Sequence, residues 1–233
     1  MSHPASPRAQ TTARVVAQLS RLLAERLALT GWGKFARFAS IALAFVFVAS
    51  VIALRISEGP RAATASLQTS AARWSLWGVA MAVALAASHR RAIADRRDGF
   101  ELLADMNGLV GGGQLVARAA AGFWLSLRLM LIPCVSVGIA SLAVSGSGKV
   151  AFDRARVLAA VTGYALVVSL VLPPLAALFE SLSPKRGRTV FIAALLFSAA
   201  LAELANDPMF SVLGWLGAAL RALLSALGAG RFA

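Results

Sequence analysis

Residues 89–118 read HRRAIADRRDGFELLADMNGLVGGGQLVAR, and the fold follows from where such a stretch cannot go. Five arginines (Arg90, Arg91, Arg96, Arg97 and Arg118) and four carboxylates (Asp95, Asp98, Glu101 and Asp105) lie between two apolar runs. One charge at the centre of a bilayer costs roughly 2.5–3.5 kcal/mol on insertion scales. So dense a group of charges is excluded from hydrocarbon. The stretch is expected to be a water-facing connection between two membrane spans, and the place where a membrane protein meets something soluble.

Composition agrees. Hydrophobic residues make up 59% of the chain and charged residues 14%, with a mean hydropathy of +0.75. Soluble domains average about 45–50% and about 25%. Several apolar runs approach the roughly 20 residues that a helix needs to cross a bilayer. A transmembrane barrel would instead alternate apolar and polar residues over segments of about ten, and that pattern is absent. An all-α polytopic membrane protein is predicted. The formal net charge of +13 invites a nucleic-acid partner, but the basic residues are spread through the connections as a topology signal would place them, so none is expected. All of the 23 basic residues except Lys34, Lys149 and Lys185 are Arg, and Ala is abundant. Both point to a GC-rich bacterial genome, and hence to the inner (cytoplasmic) membrane. Cys134 is the single cysteine; it excludes an intrachain disulfide and reads as a core residue.

Taken in order, residues 1–10 are Pro/Ser-rich and read as disordered. In 11–29, Val15, Leu19, Leu22, Leu23 and Leu27 recur at helical spacing, with Arg14, Gln18, Arg21 and Glu25 largely opposite. Trp32, Lys34, Phe35 and Arg37 follow, a typical interfacial set. A helix lying along the cytoplasmic leaflet is predicted, with a solvated amphipathic helix as the alternative. A polar segment of about 37 residues thus precedes the first apolar run, unlike a secretory signal. The chain divides into a tail and interface helix over 1–37 and a transmembrane domain over 38–230. Spans are expected at 38–54, 71–88, 119–145 (with Pro133 bending it), 157–179 and 189–205, with 55–72 and 146–156 as exposed loops and 181–188 as a basic turn. The last apolar stretch, 209–228, reads as a sixth crossing with Arg221 snorkelling, or as an interfacial helix. With the N-terminus inside, sixteen Lys and Arg fall on the inner side and six on the outer, which by the positive-inside rule predicts six spans with both termini and the 89–118 connection in the cytoplasm.

Several motifs fail on inspection. Gly146-Ser147-Gly148-Lys149 resembles the end of a phosphate-binding loop, but Ala143 and Val150 stand where the first Gly and the metal-binding hydroxyl belong. The run 109–114, LVGGGQ, resembles the nucleotide-contacting signature of ABC ATPases, yet no ATPase domain surrounds it, and it reads as a flexible break between helical pieces. Only His3 and His89 exist, which leaves no paired haem ligands, no metal cluster and no serine-hydrolase triad. No cofactor is expected. Three ionisable residues lie within or beside spans, where charges tend to be paired and functional. Glu180 and Glu203 read as interfacial, whereas Arg128 reads equally as a functional charge or as one that snorkels back towards the 89–118 side.

The layout and residues 97–106 (Arg97, Asp98, Gly99, Phe100, Glu101, Leu102, Leu103, then Asp105 and Met106) resemble the permease subunits of type-2 ABC exporters. That resemblance implies an interface helix, six spans, and a coupling helix in the connection between spans two and three. It also implies a separate ATP-binding subunit docked on Asp98, Gly99, Phe100, Glu101, Leu102, Leu103 and Met106, and a second permease subunit, identical or not. ATP hydrolysis would belong to the partner, so the chain itself would not be an enzyme. Phe100, Leu103 and Met106 at helical spacing are expected to enter a groove on that partner, with the acidic residues at its rim. A solvated loop that only fixes topology is the plainer alternative for 89–118. For the whole chain the alternatives are a non-transporting scaffold or assembly factor, or a lipid-acting enzyme; the latter would need a polar catalytic cluster that the sequence lacks.

Overall fold

The computed structural model describes residues 7–59, 64–89, 91–107, 109, 112–146 and 148–230. Every regular element among them is helical. In order these are α1 (Pro7–Ala28), α2 (Gly31–Glu58), α3 (Thr64–Ser75), a π-helical turn (Leu76–Ala80), α4 (Met81–Ala87), α5 (Arg91–Arg97), α6 (Phe100–Met106), α7 (Gly112–Ala143), α8 (Gly148–Leu182), α9 (Gly187–Ala205), a 3-10 turn (Pro208–Phe210) and α10 (Val212–Ala226). Five segments are long and apolar enough to cross a membrane: Gly31–Glu58, Thr64–Ala87, Gly112–Ala143, Gly148–Leu182 and Gly187–Ala205. The helical, multi-span architecture expected from composition is therefore present.

The spine is an antiparallel hairpin of α7 and α8. A Cβ on Gly122 would lie 2.8 Å from the Pro173 side chain, and one on Gly138 would overlap Leu158. The rigid Pro173 ring makes glycine necessary at 122, whereas at 138 the flexible Leu158 side chain fills the space a Cβ would take; both mark a close approach of the two helices. Pro173 and Pro174 lie inside α8 and Pro133 inside α7; the Pro173 ring is accommodated opposite the missing side chain of Gly122. At the end of the hairpin far from 89–118, an Arg154 N–H donates to the Ser141 carbonyl (2.7 Å) and another contact reaches Ser145 Oγ (2.9 Å).

Two connections, and the N-terminal tail as far as it is described, hold more helix than their polarity suggested. Residues 55–72 were expected to be a loop, yet α3 starts at Thr64, and Thr64, Ala65, Gln68, Thr69, Ala71 and Ala72 are buried. Their small side chains let α3 press against α7, and the Thr64 and Ser141 hydroxyls meet at 2.6 Å. The expected loop 146–156 gives way to α8 from Gly148, and Arg154 is buried because the Ser141 carbonyl replaces its water. At the N-terminus, residues 1–6 of the expected disordered segment lie outside the described residues, while 7–10 already belong to α1.

The C-terminal part also departs from the expected plan. α9 packs on the last turns of α8 through Gly187, Phe191 and Leu195 only. α10 has 15 residues, a length of about 22 Å, and presents Leu216, Leu220 and Leu224 to the core while Arg221 stays exposed. Leu223 sits 3.7 Å from where a Gly163 Cβ would be, and Gly228 lies beside Arg156. α10 therefore runs antiparallel to α8 and ends at the far end of the bundle, away from α1. A sixth crossing would have run the other way; here α9 and α10 between them accompany α8 once.

A Cβ on Gly187 would lie 2.5 Å from the Glu180 Cα, and backbone cannot step aside as a side chain can. Gly187→Ala is expected to destabilise by about 1–3 kcal/mol, whereas Gly217→Ala in α10, with nothing within 4 Å, is neutral or stabilising. Thermal unfolding of the two variants in detergent checks the contrast.

Candidate coupling elbow

Between α4 and α7 the chain makes a helical elbow of α5 and α6. Gly99 joins them at φ +71°, a backbone conformation open to Gly and strained for other residues, and its carbonyl accepts from Leu103 N–H (3.1 Å). The far side of α6 is closed onto α7 by local bonds. Leu109 N–H donates to the Ala104 carbonyl (2.9 Å), the Asn107 side chain to the Leu103 carbonyl (2.7 Å), and Gln114 to Asp105 (2.9 Å).

A buried ion network holds the elbow to the rest. Asp95 on α5 is 1% exposed, and Arg118 on α7 donates to its carboxylate at 3.0 Å. Arg26 on α1 stands 4.0 Å from the same carboxylate and 3.2 Å from Asp98, and its guanidinium lies 5.5 Å over the Phe100 ring. Beneath these charges a small apolar core joins α1 to α6 and α7: Leu19, Leu23, Ala104, Leu109, Ala117 and Ala121, with Phe100 against it. The cavity remaining beside Asp95 is only about 20 Å³, so the joint is well filled.

Two expectations change here. The apolar stripe of α1 was expected to face the leaflet; Leu19, Leu23 and Leu27 are instead buried against protein, because α6 and α7 supply a closer apolar surface, and only Leu22 of that set is exposed. Phe100 was grouped with Leu103 and Met106 as a docking face, but it turns inward beneath Arg26. The outward apolar face of the elbow comprises Leu102 (65% exposed), Leu103 and Met106 (78% exposed), with Ile93 of α5 also exposed. Asp98 is half-exposed and in the Arg26 pair, Asp105 is exposed, and Glu101 is half-buried.

The other singled-out charges are not part of this cluster. Glu180, expected at an interface, is fully buried on α8 beside Gly187, where the α8–α9 corner closes over it. Glu203 is exposed on the half of α9 that leaves the bundle. Arg128 is exposed on α7 beside Trp124. Among the described residues, no group of His, Cys, Asp and Glu is placed to hold a metal. No protein-family model, curated protein or solved structure matches the chain.

Asp95, Arg26 and Arg118 were not singled out from sequence as a cluster. Asp95 and Asp98 share a helical face by spacing, which was readable. Their cationic partners come from 69 residues upstream (Arg26 to Asp95) and 23 downstream, and only the tertiary fold brings those together.

Removing one partner of a buried ion pair costs about 3–5 kcal/mol, while exposed pairs contribute roughly 0–1 kcal/mol. Asp95→Asn is therefore expected to lower stability far more than Asp98→Asn, and to raise hydrogen exchange in α1 and α6 together. Thermal melts with exchange mass spectrometry read both effects.

Proposed function

We propose that this chain is the permease subunit of an ABC transporter of the exporter type, moving an unspecified substrate across a bacterial inner membrane. A separate ATP-binding subunit would supply the energy by docking on the elbow, and a second permease subunit would complete the pathway. One observation carries the reading. A pair of short helices is clamped to α1 and α7 by buried charge and a filled core, yet leaves Leu102, Leu103 and Met106 facing outward. A loop that only fixes topology has no need of a buried carboxylate or of exposed leucines on a rigid base. Large side chains exposed together on an ordered surface mark a binding site.

The mechanics follow from the packing. A motor domain that grips Leu102, Leu103 and Met106 and shifts by a few ångströms would carry α5 and α6 with it. Asp95–Arg118 and Leu109 pass that shift to the start of α7, and the close Gly122–Pro173 contact passes it to α8. Interlocked helices move as rigid bodies rather than deform. In this reading α1 and the elbow face the cytoplasm and the end of α10 faces the other side. Moving Arg221 outward with it, and leaving out Arg231, which lies outside the described residues, gives fourteen basic residues inside against seven outside, in keeping with the positive-inside bias.

Purification of the full chain from its own membranes in mild detergent is expected to bring down a nucleotide-binding subunit. Leu102→Asp with Met106→Asp should abolish that association and leave thermal stability within about 0.5 kcal/mol, since both are surface positions. An associated ATPase that stays bound to the double variant, or no such subunit at all, contradicts the reading.

A further inference from the structure

Two surface grooves meet on α7 at Trp124 and Arg128. One, of about 600 Å³, runs between α1, the start of α2 and α7, and its polar walls are Ser20, Arg21, Glu25, Arg37 and Arg128. The other, of about 630 Å³, continues along α7 over Leu127, Leu131, Ile132 and Val135 and is almost wholly apolar. The Ser40 hydroxyl donates to the Leu129 carbonyl at 2.7 Å, which fixes the level of α2 against α7. Arg37, one turn before Ser40, and Arg128, next to Leu129, therefore sit at neighbouring heights. Trp32 and Lys34 lie about one turn nearer the elbow, the chemistry of a membrane interface. Arg21 and Glu25 pair with each other at 3.7 Å. Neither Arg37 nor Arg128 forms an ion pair among the described residues.

A guanidinium exposed on the flank of a membrane helix needs an anion. Here two point into one groove near the interface, and the groove turns apolar directly beyond them. We propose that this composite groove binds an anionic phospholipid, with its headgroup phosphate between Arg37 and Arg128 and an acyl chain along Leu127, Leu131 and Val135. Charge complementarity selects the headgroup, Trp124 covers the glycerol region where the two limbs join, and the apolar limb selects an amphiphile over a free anion. Basic recesses between spans on the cytoplasmic side are where such headgroups are held. The site is independent of whether a motor grips the elbow.

The test uses the delipidated full chain in neutral detergent, given equal amounts of phosphatidylglycerol and phosphatidylcholine with the same acyl chains, and read by native mass spectrometry. The wild type should retain phosphatidylglycerol preferentially. At about fivefold per basic residue, Arg37→Gln with Arg128→Gln should lose about 25-fold of that preference. Arg37→Lys with Arg128→Lys should keep most of it. Leu131→Trp, which fills the apolar limb and spares both arginines, should weaken retention of both lipids, and excess inorganic phosphate should displace neither. The proposal is overturned if the wild type shows no preference, if the double Gln variant keeps it with wild-type helicity, or if inorganic phosphate competes. It is also overturned if the double Gln change only converts a dimer to a monomer, which would make the groove a contact between copies.

Discussion

A carboxylate that water cannot reach sets the geometry of one end of this protein. Asp95 is buried among apolar side chains, and an isolated charge there would cost several kcal/mol. Arg118 offsets that cost from α7, and Arg26 offsets more of it from α1. Because the three groups come from three separate segments, satisfying one charge fixes the mutual placement of α1, α5 and α7. Phe100 then fits under the Arg26 guanidinium, and the apolar stripe of α1 is spent on α6 and α7 rather than on lipid. What α6 has left to offer the outside is Leu102, Leu103 and Met106. The inward clamp and the outward face are two sides of one short helix.

The remainder of the bundle relies on small side chains. Gly122 and Gly138 bring α7 and α8 together, and Ala71, Ala72, Ala80 and Ala84 let α3 and α4 lie against the same pair. Buried hydroxyls bond within the bundle, as between Ser169 and Ser126 (3.1 Å) and from Ser40 to the Leu129 carbonyl. In a bilayer, where lipid is as apolar as any core, close packing and such bonds hold helices together. The result is a closely packed hairpin of α7 and α8 on which the other helices rest.

How much of this was legible in the sequence depended on range. The apolar runs placed four long helices and α9 because a membrane span is a local property of composition. The charged run 89–118 separates two of these apolar segments for the same reason, and the structure places the elbow of α5 and α6 within it. The start of α3 was missed because Thr64, Gln68 and Thr69 look like loop chemistry; their burial depends on partners such as Ser141, 77 residues from Thr64. Arg154 was placed in a loop because the carbonyl that satisfies it is not a property of sequence. The direction of α10 differs from that of a returning crossing because Leu223 meets Gly163 and Gly228 meets Arg156 on the first half of α8, contacts that no local pattern shows. Phe100 was assigned to the outward face because helical spacing does not say which face an arginine from α1 will cover.

In the proposed function the elbow is a rigid handle on the cytoplasmic side. Leu102→Cys provides the direct test, since the one natural cysteine, Cys134, is fully buried and contributes little background. A membrane-impermeant maleimide applied to sealed vesicles should label position 102 readily when the cytoplasmic face is outward and not when it is inward. Labelling only in the opposite orientation would put the elbow on the other side of the membrane and rule that function out.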